Sequence, residues 1–364
     1  MKSAALLLLL VLLLSAATAS GQKADSTIDY GRSWPRSMTV DPARGILYVD
    51  GMSGIYPPTG YSFGIVNVST HLVERVLPLN VTSGEMTIDE SSGDVYVAGY
   101  NSIEVFDGRT QEFARNIFLG VQVFYVLYDS ASRSLFVSNG LNKVFEVDPL
   151  SGRILASATV GNGAEGMALD QKSGELYVAD YLSDSISVLR ADGLAPVTTI
   201  ELPALSYPAQ IVLNSNTGKL YSTTGINSID VVDTSTNRFL GSVTVAPLAS
   251  NSTLAIALDQ KADRVYVLTG PGTTIVQVDG AGDTVRGRFS VSSDAYELAV
   301  NQDTQELYVT VYHQIDVFPL TQSGTTGVVS DALLVLLLAV GVVVAVILAR
   351  RASRAAPPNS SQDR

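Results

Sequence analysis

The sequence predicts an all-β fold: a seven-bladed β-propeller of four-stranded antiparallel blades, followed by one C-terminal transmembrane helix. Three observations carry that expectation. An Asp or Asn closes an apolar run and an aromatic follows seven residues later, seven times over: Asp41/Tyr48, Asp89/Tyr96, Asp129/Phe136, Asp170/Tyr177, Asn214/Tyr221, Asp259/Tyr266 and Asn301/Tyr308. Successive aromatics stand 48, 40, 41, 44, 45 and 42 residues apart, a period that marks a repeat architecture. The last unit supplies three strands and stops, while a strand-like segment at residues 27–31 precedes the first unit. That segment is expected to complete the last blade and close the ring.

Within a unit the four strands are short and separated by turn residues, the pattern of an all-β chain. In the fourth unit they fall at residues 166–169, 175–179, 185–189 and 197–202. The Asp-x-x-x-Gly between the first two is hairpin chemistry, because the Asx side chain bonds its own backbone and glycine supplies a positive φ. Gly45, Gly93, Gly174 and Gly218 hold that place. Arg133, Asp263 and Gln305 replace it elsewhere, so those three hairpins are not required to share the turn. The third strand usually ends in another Asx: Asn67, Asp107, Asp148, Asp233 and Asp279, with Arg190 and Pro319 as departures. The aromatic of each second strand is expected to pack between neighbouring sheets.

The two ends suggest an address. Residues 1–19 read as a secretory signal, with Lys2, an apolar core and the small residues Ala17 and Ala19 flanking Thr18. Residues 20–318 are the propeller, exported in this reading, and 319–327 a linker. Residues 328–349 form the expected membrane helix, within which 332–349 is an unbroken apolar run of bilayer-spanning length. Arg350, Arg351 and Arg354 open the basic tail 350–364 and assign it to the cytoplasm by the positive-inside rule, with the propeller on the extracellular or periplasmic side. Three sequons begin at Asn67, Asn80 and Asn251 and are glycosylation candidates.

Composition narrows the chemistry. The net charge is -12; setting aside the signal, span and tail leaves 33 acidic residues against 18 basic ones, which disfavours nucleic acid as a partner. Cysteine is absent, which excludes disulfides, thiolate metal sites and cysteine nucleophiles. Two histidines in different units, His71 and His313, are too few for a multi-histidine metal centre. Both read as exposed loop residues. No catalytic constellation is evident, and no cofactor is expected apart from Ca²⁺.

Leu47-Tyr48-Val49, Val95-Tyr96-Val97, Leu176-Tyr177-Val178, Val265-Tyr266-Val267 and Leu307-Tyr308-Val309, with Val105-Phe106-Asp107 and Val231-Val232-Asp233 downstream, resemble the YVTN family of β-propeller repeats. The resemblance covers about residues 27–321 and implies a surface-layer type of propeller on an archaeal or bacterial cell surface. Its signature residues are structural, so it implies little about activity. Leu220-Tyr221-Ser222 and Leu135-Phe136-Val137 depart from the pattern.

In propeller topology the loops joining second to third strands, and fourth strands to the next blade, share one face, the upper one. The last third strand leaves from the lower face, so the lower face is expected towards the membrane. Candidate binding residues on the upper face are Tyr56, Tyr61, Tyr100, Asn101, Asn142, Asp180, Tyr181, Tyr312 and His313, a palette suited to recognising a protein or glycan. Four residues before each first-strand Asx stand Ser37, Glu85, Tyr125, Gly166, Gln210, Ala255 and Glu297, expected at the central channel. With Glu165 beside them, Glu85 and Glu297 are the candidate metal ligands, of a kind that suits Ca²⁺. The favoured function is a membrane-anchored binding or structural module. The alternative is an exported Ca²⁺-dependent enzyme of lactonase or lyase type that uses those glutamates.

Overall fold

The computed structural model describes residues 22–31, 33–53, 60–80, 84–246, 253–270, 272–292 and 294–320. The expected signal and membrane span lie outside them, as do Tyr56 and Asn251. Twenty-eight strands form seven four-stranded antiparallel sheets, which is the expected propeller. Six sheets take their strands in chain order. The seventh pairs Gln314–Pro319 with Ser26–Asp29 from the front of the chain, and Ile28 faces Ile315. The N-terminal strand therefore completes the sheet that holds Tyr308.

First strands meet around the axis: Ser33–Asp41 contacts both Met86–Asp89 and Ala295–Asn301, its neighbours on either side. Outer strands alternate buried and exposed positions, as in Leu72–Leu79 and Arg238–Thr244, because only one face of each covers the core. Seven apolar clusters fill the seven blade-to-blade interfaces, one of them built around Ile28, Tyr30, Ile315 and Tyr308 across the closing seam. Burying Ile28, which is 1% exposed, contributes about 2 kcal/mol to holding that seam.

The aromatics of the second strands are buried. Tyr177, Tyr221 and Tyr308 pack against the turn between third and fourth strands of the following blade. Tyr177 donates to Asn237 Oδ1 at 2.8 Å, and Tyr221 to Asp283 Oδ1 at 3.2 Å. Where the aromatic is Phe136, the residue at the matching turn position is Leu194, and the two share an apolar cluster. The Tyr48 hydroxyl has no such acceptor, and the Tyr266 hydroxyl accepts from Gln277 of its own blade.

All seven hairpins between first and second strands carry a left-handed residue at the same place. Gly45, Gly93, Gly174 and Gly218 have φ of 66°, 82°, 66° and 69°; Arg133, Asp263 and Gln305 have 58°, 52° and 55°. The expectation that the glycine-free hairpins need not share the turn is corrected. The preceding Asx fixes the turn by accepting backbone N–H groups, as Asp129 does from Ala131 and Asn301 from Asp303, and the residue that follows adopts the conformation the turn demands.

Candidate functional site

The two faces differ in how their polar groups are used. On the lower face the inner hairpins are stitched to one another. Gln171 donates to Asp129 at 2.8 Å, Asn214 to Asp263 at 2.7 Å and Gln305 to Asp259 at 2.9 Å, each pair spanning two adjacent blades. Lys261 pairs with Asp303, also across blades.

The upper face instead leaves apolar side chains in solvent. Tyr100, Phe124, Leu141, Leu182, Leu205, Leu254, Tyr296 and Tyr312 are exposed there, whereas the lower-face turns and the fourth-strand starts beside them expose Leu72, Leu150, Ile154 and Leu155, none of them aromatic. Two clusters stand out. At the closing seam Trp34, the only tryptophan of the chain, meets Tyr312 edge-on at 4.8 Å, and Tyr312 meets His313 at 3.9 Å. His313 Nδ1–H donates to the Ser33 carbonyl at 3.3 Å, which fixes its tautomer and ties the loop to the first blade. Across blades four and five, Tyr181 packs on Tyr207 at 5.3 Å. Asp184 accepts from the backbone of Leu205 and Tyr207 at 3.0 and 2.9 Å and holds both at positive φ, 70° and 44°. Backbone strain on residues of this size is uncommon, and it collects where a surface must keep one shape.

The sequence-predicted residues divide accordingly. Tyr100 and Tyr312 are exposed, at 68% and 43%. Asn101, Asn142, Tyr181 and His313 are half-buried, and the carbonyls of Asn101 and Asn142 accept from Leu119 and Val160. Tyr61 is not a loop residue; it lies in the third strand Gly60–Asn67, packed against the cluster between blades one and two. Asp180 must be corrected: it is fully buried, because Ser185 and Ser187 donate to its Oδ2 at 3.0 and 2.7 Å and draw it beneath the surface. His71 is not an exposed turn residue either. Its Nδ1 lies 3.1 Å from Ser26 Oγ and its Nε2 3.0 Å from Glu306 Oε1, so it pins the first blade to the closing strand and to blade seven. Of the sequons, Asn67 donates to Glu74 at 2.8 Å and Asn80 to Glu104 at 3.2 Å.

At the channel the structure brings Glu85 and Glu297 into electrostatic contact, with Tyr125 beside both. Burial, then the charge of Glu85, pushes the Glu297 carboxyl up from its ordinary value. Burial also pushes Glu85 up, against the pull of the Ser37 hydroxyl and the Arg36 guanidinium. Glu297 accepts from Gln210 Nε2 and from the Leu298 N–H, both at 2.9 Å, and Gln210 Oε1 accepts from Ile256 N–H at 3.1 Å, so the network links three first strands across the lumen. Glu165 stands apart from both glutamates; burial alone pushes it up to about 7. Among the described residues no three His, Cys, Asp or Glu are grouped to hold a metal.

A second use of acids was not legible in the sequence. Three residues before the end of the third strand, Glu104, Asp230 and Asp316 are each buried. Each accepts from the linker that enters its blade: Glu104 from Asn80 N–H at 3.1 Å, Asp230 from Ser206 at 2.7 Å and Asp316 from Ser292 at 2.8 Å. These acids are clamps between blades. The phase of the repeat contained the signal, since the three occupy one register position.

No protein-family model matches the chain, and no curated protein matches it in sequence. Among solved structures it is similar to the β-propeller domain of Myceliophteria thermophila Cps50 (Swd1). The TM-score is 0.68 at 10% identity, over 82% of this chain and 100% of that one. At that identity the likeness concerns the fold alone. The chain is a seven-bladed β-propeller.

Proposed function

We propose that this propeller is an exported, membrane-anchored recognition module of the YVTN type, and that its upper face binds a protein partner. One observation carries the reading: exposed aromatic and aliphatic side chains gather on the upper loops, while the polar groups of the lower face are engaged with each other across blades. Trp, Tyr and Leu held by packed neighbours are the anchors of protein interfaces, and contiguous exposed apolar surface marks an interaction site. The apolar segments 1–19 and 328–349 with the arginines after them support the address. In this reading the lower face is turned to the membrane and the upper face outward.

A photo-crosslinking residue in place of Tyr312, in the full chain on intact cells, is expected to capture a discrete protein partner. The same residue in place of Leu150 is expected to capture none. Equal capture from both positions, or from neither, overturns the assignment of the face. N-terminal sequencing of the mature protein is expected to begin at Ser20, and a retained Met1 would remove the signal from the account.

A further inference from the structure

The flank between blades three and four holds a cleft that the other clamps explain. Where Glu104, Asp230 and Asp316 reach their linkers, blade four carries Ser187, and the linker residue it faces is Gly161, whose N–H lies 3.4 Å from Ser187 Oγ. The acid has moved to the second strand as Asp180. An added Cβ at Gly161 would lie 2.7 Å from Asp180 Oδ2, so glycine is required there. Ser187 and Gly161 are both smaller than the Glu104 and Asn80 that meet at the matching place in blade two, and an open cleft of about 460 Å³ lies beside them, within the ~300–1,000 Å³ usual for small-ligand sites.

Its lining is rich in hydroxyls: Thr159, Ser183, Ser185, Ser187 and Thr199, with the carboxylate of Glu201 at one end. Ser185 and Ser187 spend their protons on Asp180 Oδ2, so towards the cleft they offer lone pairs. Behind them Asp180, 0% exposed, keeps Oδ1 without a hydrogen-bond partner. Asp180 is not itself part of the lining; it sets the direction in which Ser185 and Ser187 donate. No Lys, Arg or His lines the cleft, so it offers an anion no positive charge, and Glu201 repels one. The occupant this chemistry asks for is uncharged, rich in O–H donors and able to lay C–H surface on Val160 and Pro196.

We propose that the cleft between blades three and four binds a neutral saccharide unit. A peptide strand added to the outer edge Pro196–Glu201 is the competing occupant. It would use only backbone that the outer strand of every blade offers, and would leave the hydroxyl lining unexplained.

The test uses the full chain in a sugar-free detergent, titrated calorimetrically with glucose, galactose, mannose and N-acetylglucosamine, and with sialic acid as the anionic control. Saturable binding of at least one neutral sugar, and none of sialic acid, is expected. Thr199→Phe, which fills the cleft from the exposed outer strand, is expected to weaken binding at least tenfold with an unchanged melting curve. Should that variant fail to fold, Thr159→Val, which removes one hydroxyl at constant volume, is expected to weaken binding several-fold. Absence of binding by all four neutral sugars, binding unaffected by the folded variants, or preferential occupation of the cleft by a strand-forming peptide would each overturn the proposal.

Discussion

Replacing Arg133 by glycine is expected to stabilise the propeller, although it removes a long side chain and adds no contact. Arg133 is exposed and holds φ of 58° in a hairpin whose counterparts in four blades use glycine. A non-glycine residue in the left-handed region costs about 1–2 kcal/mol. Glycine returns part of that gain through its freer unfolded chain, leaving a net stabilisation of roughly 0.5–1 kcal/mol. For a unit of roughly 300 residues this corresponds to a rise of about 1–2 °C in Tm. Two companion substitutions separate the backbone effect from side-chain effects. Asp263→Gly and Gln305→Gly relieve the same strain but remove the acceptor for Asn214 and the donor to Asp259, each a bond between blades. Each lost bond costs about 1 kcal/mol, so these two variants should melt at or below the parent. Gly174→Ala, at φ of 66°, should lower stability by about 1 kcal/mol. Differential scanning calorimetry of the four variants gives the order directly. An Arg133→Gly variant no more stable than Asp263→Gly would refute the reasoning, because backbone strain would then not be what distinguishes the sites.

Other expectations follow from the same contacts. Tyr177→Phe should cost about 1 kcal/mol through loss of the bond to Asn237, whereas Tyr48→Phe should be near neutral, since the Tyr48 hydroxyl has no hydrogen-bond partner; urea midpoints compare the two. Phe136→Tyr should destabilise by about 1–3 kcal/mol by setting a hydroxyl against Leu194. Because burial raises both channel carboxyls, the folded state keeps protons that the unfolded state has released, so stability should fall as pH rises above the ordinary carboxylate range. Glu85→Gln removes the like charge beside Glu297 and should flatten that fall in a series of melts against pH; an unchanged slope would separate the two groups. Loss of His71 to alanine should lower stability by roughly 1–2 kcal/mol by releasing both Ser26 and Glu306 at the seam.

The blade count, the strand order and the closing strand were legible because they depend on period and phase, which a single sequence displays. Partners across blades were not. His71 and Glu306 are 235 positions apart, and nothing local to either names the other. Asp180 reads as a loop acid because it ends a strand. Its burial is decided by Ser185 and Ser187, which lie on the next strand and look like ordinary turn and strand residues. The interblade clamps show the intermediate case, for aligning the repeats puts Glu104, Asp230 and Asp316 in one column although each alone looks like a solvated acid. At the channel, spacing brought Glu85 and Glu297 to one lumen, while the separation of Glu165 follows from the alternation of side chains along its strand.

Ring closure by the strand Ser26–Asp29 fixes which loops share a face, so it is tested most directly by a cysteine pair in a chain that has no cysteine of its own. Asp29 stands opposite Gln314 across the closing seam. The account predicts that Asp29→Cys with Gln314→Cys oxidises to one intramolecular disulfide that raises Tm, and that Asp29→Cys with Thr199→Cys in blade four does not. A mass spectrum showing no internal crosslink for the first pair, or equal crosslinking of both, would contradict it.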